Sequence, residues 1–549
     1  LSLVKPTVFE DIIALGALYR PGPMDNIPSF AARKWGREKP DYLHPMLEPL
    51  LKPTYGVIIY QEQVMQIAQV LAGYSLGEAD LLRRAMGKKI KAEMDAQRAR
   101  FIDGALANGV DRDQAEVIFN LVDKFAGYGF NKSHAAAYAL VALQTAWVKA
   151  HHPAAFYAAS MAYDISMTDK LAVFVDDMQR LGTPLLPPCI NRSGADFTVE
   201  DSENGLTVRY ALGALKGVGE GAMADIVAER EANGPFRSLD DFANRIDPRA
   251  LNKRQMEALA SAGAFDCLEP SRARAHAAAE LLLATAARAA DQRTTGQGGL
   301  FGAETTPETL PLPDVKPWNI GERLAHEHEA FGFFFAGHPV EAHAAVLATY
   351  GVLRADVALA RRAMPGTRQS VRMAGLVEEF RWRVPQGKGP DRRYMMADLT
   401  DASGAWGATC FEADAQAILE NAAAAGEPLL LDVELQWREG DDAPRLTIRG
   451  ATALESLSRN VRALLTVDLV RDVSPDLAAE LAARLPRGGR SVVQLHVPLR
   501  TGGTAQLWLG GDFALPPGIE AELPEMAGIA AARIEPLNPL AEQGLRLVA

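Results

Sequence analysis

Residues 125–153, FAGYGFNKSHAAAYALVALQTAWVKAHHP, form the stretch that decides the fold. Gly127 and Gly129 permit the positive φ angles that end one helix, and Ser133 is a favoured N-cap residue for the next helix. This pattern predicts that the second helix begins sharply. Its amino end would present unpaired backbone N–H groups and a partial positive charge.

The helix predicted after this cap has one apolar face, whose positions follow the helical repeat. We expect this face to be buried and to hold the amino end of the helix in place. Lys132 and His134 flank the predicted cap, so the corner is suited to a phosphate group. The alternative is a capped helix with two solvated polar residues. The positions of the apolar face are Tyr138, Val141, Ala142, Thr145 and Val148.

Two further stretches precede this one, TYGVIIYQEQVMQIAQVLAGYS at residues 54–75 and ADLLRRAMGKK at residues 79–89. Together with KPTVFEDIIALGALYRPGPM at residues 5–24, they closely resemble the bacterial C-family replicative DNA polymerases. The resemblance begins within the first dozen residues and continues, more weakly, almost to the carboxyl end. It implies templated DNA synthesis by nucleotidyl transfer, with the corner before residue 134 holding the triphosphate of the incoming nucleotide.

The positive charge of the chain is local. The net charge is -12, but residues 81–100 contain seven Lys or Arg against two Asp or Glu. The resemblance places the incoming deoxynucleoside triphosphate and the primer-template DNA at such basic residues. The expected nucleotide-binding residues are Arg83, Arg84, Lys132 and His134. The expected DNA-binding residues are Lys88, Lys89, Gly217 and Gly219.

Length and composition indicate a modular globular protein. A chain of 549 residues suggests roughly three to five domains. No apolar run approaches the ~20 residues of a membrane span. The three cysteines, Cys189, Cys267 and Cys410, are far apart and odd in number. They indicate neither a disulfide framework nor a zinc site, and they fit a reducing cytoplasm.

The predicted fold is multidomain, with mainly α-helical fingers and a helix-hairpin-helix region, followed by an OB-type β-barrel and a small α/β tail domain. Glycines at 217 and 219 would let a DNA backbone approach the start of the following helix. Aromatic and basic residues of the barrel are candidates for single-stranded DNA, although such aromatics more often belong to a core. These barrel residues are Phe380, Trp382, Arg392, Arg393 and Tyr394. The expected domains are 1–205, fingers; 206–270, helix-hairpin-helix; 271–365, connector with a clamp-binding linker; 366–455, barrel; and 456–549, α/β tail.

The linker within the connector contains QGGLF at residues 297–301, with two large apolar residues in a polar, Gly-rich segment. It resembles the pentapeptide by which bacterial polymerases dock on the sliding clamp, the β subunit. Gln297, Leu300 and Phe301 are the expected clamp-binding residues. The resemblance also implies other replicative holoenzyme subunits as partners, including the clamp-loader τ subunit.

Nucleotidyl transfer needs paired carboxylates that hold two divalent ions, and we find no such pair in this sequence. We reject a metal site at His326, His328 and His338 because their spacing matches no known ligand set. In the family the catalytic aspartates lie in a palm domain on the amino-terminal side of the fingers. We therefore expect a truncated chain, inactive alone, with no catalytic or metal-binding residue of its own. Mg²⁺ would serve the full-length enzyme.

Two alternatives remain open from the sequence. One is the related error-prone C-family polymerase of lesion synthesis, although YGVIIYQEQVMQIA and QGGLF favour the replicative enzyme. The other is a DNA- and clamp-binding module without catalysis.

Overall fold

The computed structural model describes residues 1–88, 91–126, 128–203, 205–295, 310–384, 393–441, 443–458, 460–471, 473–499 and 503–537. The chain divides into two compact units, Leu1–Phe156 and Tyr157–Ala549. Among the helices in these ranges, none is both long and apolar enough to cross a bilayer.

The first unit is helical and has two hydrophobic clusters. One cluster joins the middle helices around Phe101 and Phe119, and the other joins the first two helices to the last one around Phe30. The helices are α1 (Phe9–Leu18), α2 (Ile27–Lys34), α3 (Glu48–Leu51), α4 (Gln61–Ala72), α5 (Leu76–Lys88), α6 (Lys91–Ala107), α7 (Arg112–Ala126) and α8 (Lys132–His151).

The second unit begins with helices around a small sheet. Strand β1 pairs parallel with β3, and β2 pairs antiparallel with β3. The Ala- and Arg-rich stretch from residue 272 forms two helices that are divided at Ala278. These elements are α9 (Pro153–Tyr163), α10 (Thr168–Leu181), β1 (Leu185–Leu186), β2 (Thr198–Ser202), β3 (Gly205–Arg209), α11 (Glu220–Asn233), α12 (Leu239–Arg245), α13 (Lys253–Ser261), α14 (Arg272–Ala277) and α15 (Ala279–Thr295).

Three connector helices lead to a closed five-stranded barrel. The first of them starts at a capping box, in which the side chains of Asn319 and Glu322 each accept the other's backbone N–H at 2.9 Å. The strands close in the order β4-β5-β6-β8-β7, with a helix between β6 and β7. The elements are α16 (Ile320–Phe331), α17 (Ala344–Tyr350), α18 (Ala355–Ala360), β4 (Arg368–Arg383), β5 (Tyr394–Asp401), β6 (Gly404–Cys410), α19 (Ala413–Ala425), β7 (Leu429–Gln436) and β8 (Arg445–Ala453).

The last part is a four-stranded α/β sheet with the order β11-β10-β9-β12. Its central strands are parallel, because a helix crosses from one to the other. The predicted fold class is therefore confirmed: helical regions precede a barrel and an α/β domain. The elements are α20 (Leu454–Ser458), β9 (Ala463–Leu469), α21 (Leu477–Arg484), β10 (Arg487–Pro498), β11 (Thr504–Phe513), α22 (Ile519–Glu522) and β12 (Ile529–Pro536).

Candidate nucleotide and nucleic-acid interface

The amino end of α8 is capped two residues earlier than the sequence suggested. Asn131 is the N-cap, and its side-chain oxygen accepts the backbone N–H of His134 at 2.8 Å. Ser133 lies within the first turn, so its prediction as the cap was wrong. Gly129 does not adopt a positive φ; a Cβ there would stand 3.2 Å from Cγ of Gln61. Gly129 therefore allows the loop to approach Gln61 closely. Gly127 lies outside the described residues.

A carboxylate of the protein already occupies this helix end. Both side-chain oxygens of Glu62 lie 3.0 Å from the backbone nitrogen of Lys132, which donates to them. The expectation of unpaired N–H groups was therefore wrong for Lys132 and His134. A negative charge at a helix amino end is stabilised by the helix dipole. The corner is thus an anion site, and Glu62 fills part of it.

Backbone hydrogen bonds hold the start of α4 beside the loop that leads into α8. Phe130 donates its N–H to the carbonyl of Ile59 at 3.1 Å, and Gln61 donates to the carbonyl of Phe130 at 3.0 Å. The side-chain oxygen of Gln63 accepts the N–H groups of Ile59 and Tyr60. The YQEQ segment therefore positions the anion site. The sequence identified this segment by its resemblance to the polymerase family but did not predict the role of Glu62.

The side chains of Lys132 and His134 are exposed at this corner and are partly oriented by aromatic rings. The ammonium nitrogen of Lys132 lies 5.5 Å from the ring centroid of Tyr60. The ring of His134 stands between those of Phe130 and Tyr138, at 5.5 and 4.9 Å. Both side chains are accessible to an anionic ligand and lie within one turn of each other.

The apolar face predicted for α8 is exposed rather than buried. Tyr138 and Val141 retain 69% and 57% of their accessible surface. Ala142 and Thr145 are also exposed, and Val148 is half-buried. The face that is buried carries the small residues Ala135 and Ala139, which pack in the cluster shared with α1 and α2. The prediction was wrong because helical spacing identifies an apolar face but not which face meets a neighbour.

The Arg-Pro-Gly-Pro corner at residues 20–23 supports the same loop. Arg20 donates to the carbonyl oxygens of Ala17 and Tyr128 at 3.0 and 2.8 Å, and its guanidinium lies 4.4 Å from the ring centroid of Phe130. Gly22 has a φ of 98°, and a Cβ there would meet Cε1 of Tyr128 at 2.8 Å. The corner is therefore a support for the loop before α8.

Arg83 and Arg84 share one carboxylate on α5. Each guanidinium lies 2.8 Å from an oxygen of Asp80, one turn earlier. The hydrogen bond from Arg83 holds the pKa of Asp80 below its usual value. Helix α5 packs on α4, whose first residues hold the loop before α8. The structure thus connects two basic pairs through α4: Arg83 with Arg84 on α5, and Lys132 with His134 at the start of α8.

Gly217 and Gly219 form the tip of a tight turn before α11, with φ values of 78° and 85°. Gly219 is the N-cap of that helix. Val218 between them is buried, and its carbonyl accepts the side-chain N–H of Gln255 at 2.6 Å. The element before the turn is a 3₁₀ turn rather than a full helix. A Cβ at either glycine would meet no atom within 4 Å, so the tip is open on its outer side.

The barrel face contains paired rings and cations. The guanidinium of Arg393 lies 4.0 Å from the ring centroid of Trp382, and Tyr394 stacks on Phe411 with centroids 5.2 Å apart. Phe380 and Trp382 also pack against the barrel core. Sequence reasoning missed Phe411, which is 55% exposed.

Several predicted site residues lie outside the described residues. They are Lys89, Gln297, Leu300, Phe301 and Arg392. Lys88 is the last residue of α5.

Comparison with known proteins agrees with these features. A family model described as the bacterial DNA polymerase III alpha subunit finger domain matches residues 1–109, and a helix-hairpin-helix motif matches residues 182–275. The chain is 44% identical to DNA polymerase III subunit alpha of Caulobacter vibrioides over 529 residues, which is 95% of this chain and 45% of that protein.

Other relatives show the same extent of similarity. Identity is 40% over 557 residues with the Haemophilus influenzae protein of the same name, covering 97% of this chain and 46% of that protein. It is 43% over 404 residues with the Thermus aquaticus protein, covering 73% and 32%. The chain spans somewhat less than half the length of these relatives. It belongs to the family of bacterial DNA polymerase III alpha subunits and corresponds to the part that carries the finger domain and the helix-hairpin-helix motif.

Proposed function

We propose that this chain supplies the nucleotide-, DNA- and clamp-binding parts of a replicative, DNA-directed DNA polymerase that acts in the cytoplasm. The observation that carries the proposal is the anion site at the start of α8. There, exposed Lys132 and His134 surround a helix end that already holds the carboxylate of Glu62. An incoming triphosphate carries more negative charge than one carboxylate and can replace it.

Binding of the triphosphate would change the contacts of both basic pairs, Lys132 with His134 and Arg83 with Arg84. On the α8 side, phosphate oxygens would take the N–H of Lys132 from Glu62 and contact the side chains of Lys132 and His134. On the α5 side, Arg83 and Arg84 would exchange Asp80 for phosphate oxygens, because guanidinium groups bind phosphate in a bidentate manner. Carboxylates thus keep the cations ordered until the substrate arrives.

The chemical step itself is not assigned to this chain. Two-metal nucleotidyl transfer needs a cluster of carboxylates, and the parts of the chain that the structure describes contain no group of three or more His, Cys, Asp or Glu side chains able to hold a metal ion. The described residues therefore do not form a binding site for Mg²⁺. We propose that a palm domain elsewhere in the polymerase supplies the catalytic carboxylates and that this chain alone does not extend primers.

Arg84→Ala tests the nucleotide site in the intact polymerase. We expect the nucleotide KM to rise by about 10- to 100-fold, because one charge-assisted hydrogen bond contributes roughly 1.5–3 kcal/mol. Affinity for primer-template DNA should change little. Steady-state primer extension gives the KM, and fluorescence anisotropy gives the DNA affinity.

Arg112→Ala is the matched control for this measurement. Arg112 is the exposed first residue of α7, and its removal lowers the charge of the first unit by the same amount. If Arg84→Ala raises the nucleotide KM and weakens DNA binding by the same factor, Arg84 contacts the DNA duplex rather than the nucleotide.

The turn at residues 217–219 is proposed as a contact to the DNA backbone, together with Lys88 and Lys89. Its outer side is open, and the amino end of α11 begins there. Backbone N–H groups at such a helix end can bind a phosphate without reading the base sequence. Binding of this kind neutralises phosphates and depends strongly on salt.

Gly219→Val should weaken DNA binding by about tenfold at every sequence, because the side chain would project into the space that a phosphate needs. Gly234→Val is the control: Gly234 is the C-cap of the same helix, with a φ of 84° and open space around its Cβ position. Both variants bear similar backbone strain. Anisotropy titrations at several salt concentrations give the DNA affinity of both variants. If both lose the same affinity, the turn contributes to folding and not to DNA contact.

The segment QGGLF is proposed as the docking peptide for the sliding clamp, through Gln297, Leu300 and Phe301. The proposal rests on its sequence. The clamp-loader τ subunit is a further proposed partner within the replicative assembly.

A further inference from the structure

Two cysteines that are 78 residues apart in the sequence meet in the fold. The sulfur atoms of Cys189 and Cys267 are separated by 3.6 Å. Both are free thiols, so no disulfide is present, but their proximity could not be seen from their distance in the sequence. The reason for their proximity is a backbone contact: Ile190 donates its N–H to the carbonyl of Ala264 at 2.8 Å, which places the two segments side by side.

The segment that carries Cys189 is a tight, fully bonded turn. The carbonyl of Cys189 accepts the N–H groups of Arg192 and Ser193 at 3.0 and 2.8 Å, and its own N–H donates to the Ser193 hydroxyl at 2.9 Å. The amide of Asn191 exchanges two hydrogen bonds of 2.8 Å with the backbone of Phe236. These hydrogen bonds fix the backbone of the turn, and so they fix the point from which the Cys189 side chain extends toward Cys267.

The two thiols differ in their chemistry. The hydrogen bond between the two sulfur atoms lowers the pKa of Cys189 to about 6. Burial opposes this shift, while backbone N–H groups of Asn191 and Arg192 and the charge of Arg209 support it. The pKa of Cys267 is raised by the hydrogen bond with Cys189, by partial burial and by the charge of Cys189. The contact therefore favours a thiolate on Cys189 beside a thiol on Cys267.

We propose that Cys189 and Cys267 form a redox-active dithiol that closes to a disulfide when the protein meets a peroxide. The thiolate of Cys189 attacks one peroxide oxygen, which gives a sulfenic acid and releases hydroxide. Cys267 then loses its proton and attacks the sulfenic sulfur, which forms the S–S bond and releases a second hydroxide. The two thiol protons combine with the two hydroxides, so hydrogen peroxide and two thiols yield one disulfide and two waters.

The location gives this bond a structural effect. A disulfide here would close a loop from residue 189 to residue 267 that contains the turn at Gly217 and Gly219. Bridging the sulfurs needs an approach of about 1.6 Å, from contact to bonding distance. Cys267 is exposed and Cys189 is partly exposed, so a small oxidant can reach the pair. The oxidised protein should therefore unfold at a higher temperature in this region.

Cys410 provides an internal control. It is buried in the barrel wall, and burial raises the pKa of its thiol. A lowered pKa raises the thiolate fraction of Cys189, whereas burial shields the Cys410 thiol and keeps it protonated. Cys189 should therefore be alkylated much faster than Cys410.

The test is a titration of the reduced full chain with hydrogen peroxide at pH 7, followed by alkylation under denaturing conditions and mass spectrometry without reduction. We expect a peptide that joins Cys189 to Cys267, with Cys410 still alkylated, and reversal by dithiothreitol. In Cys267→Ser, the sulfenic acid on Cys189 should persist and be trapped by a 1,3-diketone. In Cys189→Ser, Cys267 should remain a thiol at the same dose.

The thermal midpoint provides a second measurement. Oxidation should raise it in the wild-type chain and in Cys410→Ser, and should leave it unchanged in Cys189→Ser. The proposal is overturned if the joined peptide is absent from the oxidised monomer, or if Cys410 is consumed as fast as Cys189.

Discussion

We expect Lys34→Met to destabilise the first compact unit by about 3–5 kcal/mol, because it leaves a buried carboxylate without its cation. The ammonium nitrogen of Lys34 lies 2.7 Å from a carboxylate oxygen of Asp11, and their side chains are only 4% and 1% exposed. Met preserves the length of the side chain but not the charge. Hydrogen exchange of the amides in α1 and α2 should accelerate by about 10²-fold or more.

The penalty should depend on pH. Burial raises the pKa of Asp11, but Lys34 and the backbone N–H groups of Thr7 and Val8 more than offset burial, so its pKa is lowered. The pair therefore stabilises the native protein above the unfolded pKa of about 3.9, and this contribution is lost as pH falls through the lower, folded pKa. In Lys34→Met, burial makes Asp11 take up a proton on folding. The difference between the two proteins should shrink as pH falls from 7 toward 4.

Two further variants separate a charge effect from a packing effect. Glu38→Gln breaks the neighbouring Arg33–Glu38 pair, in which the glutamate is 43% exposed, and should cost far less stability than Lys34→Met because solvent screens the pair. Combining Asp11→Asn with Lys34→Met removes both charges and should recover part of the loss. If Lys34→Met costs no more than Glu38→Gln, the buried pair is not important for stability.

This pair also bears on the proposed nucleotide site. Asp11 belongs to α1, which packs against Ala135 and Ala139 of α8 in the same hydrophobic cluster. Loosening α1 would let the start of α8 move relative to its supporting loop. Variants of Asp11 or Lys34 should therefore raise the nucleotide KM in the intact polymerase without any contact to the nucleotide.

Replacing both Leu300 and Phe301 by Ala should abolish processive synthesis on clamp-loaded templates. Each large apolar side chain contributes roughly 1.5–3 kcal/mol when it enters a preformed pocket. The peptide alone should bind weakly, because the entropy cost of ordering any short peptide on a surface offsets much of this gain. A clamp that encircles DNA already held by the polymerase makes the second contact intramolecular and raises avidity by about 10²–10⁴. The double variant should lose this whole factor.

The measurement is the product length on long, clamp-loaded templates, with short clamp-independent extension as the internal reference. Thr305→Ala with Thr306→Ala is the matched control, since it changes the same linker outside QGGLF and should leave both activities intact. Processivity that survives the loss of Leu300 and Phe301 would place clamp docking elsewhere. A parallel fall in both activities would make the segment structural.

Much of the architecture follows from patterns within a few residues of each other. Helical periodicity predicts the first unit, and alternation with turn residues predicts the barrel and the α/β domain. The glycines at 217 and 219 are correctly predicted to form a tight turn before a helix, because only their local φ angles are needed. The same local reasoning places Lys132 and His134 together at one helix end.

The remaining features depend on contacts between distant segments. Glu62 reaches the N–H of Lys132 across 70 residues, and Cys189 reaches Cys267 across 78. Local propensity carries no information about such pairs, because they form only when packing brings their backbones together. The face of α8 that is buried was mistaken for the same reason: an amphipathic pattern reports which side chains are apolar, whereas the approach of α1 selects the small residues Ala135 and Ala139 for burial.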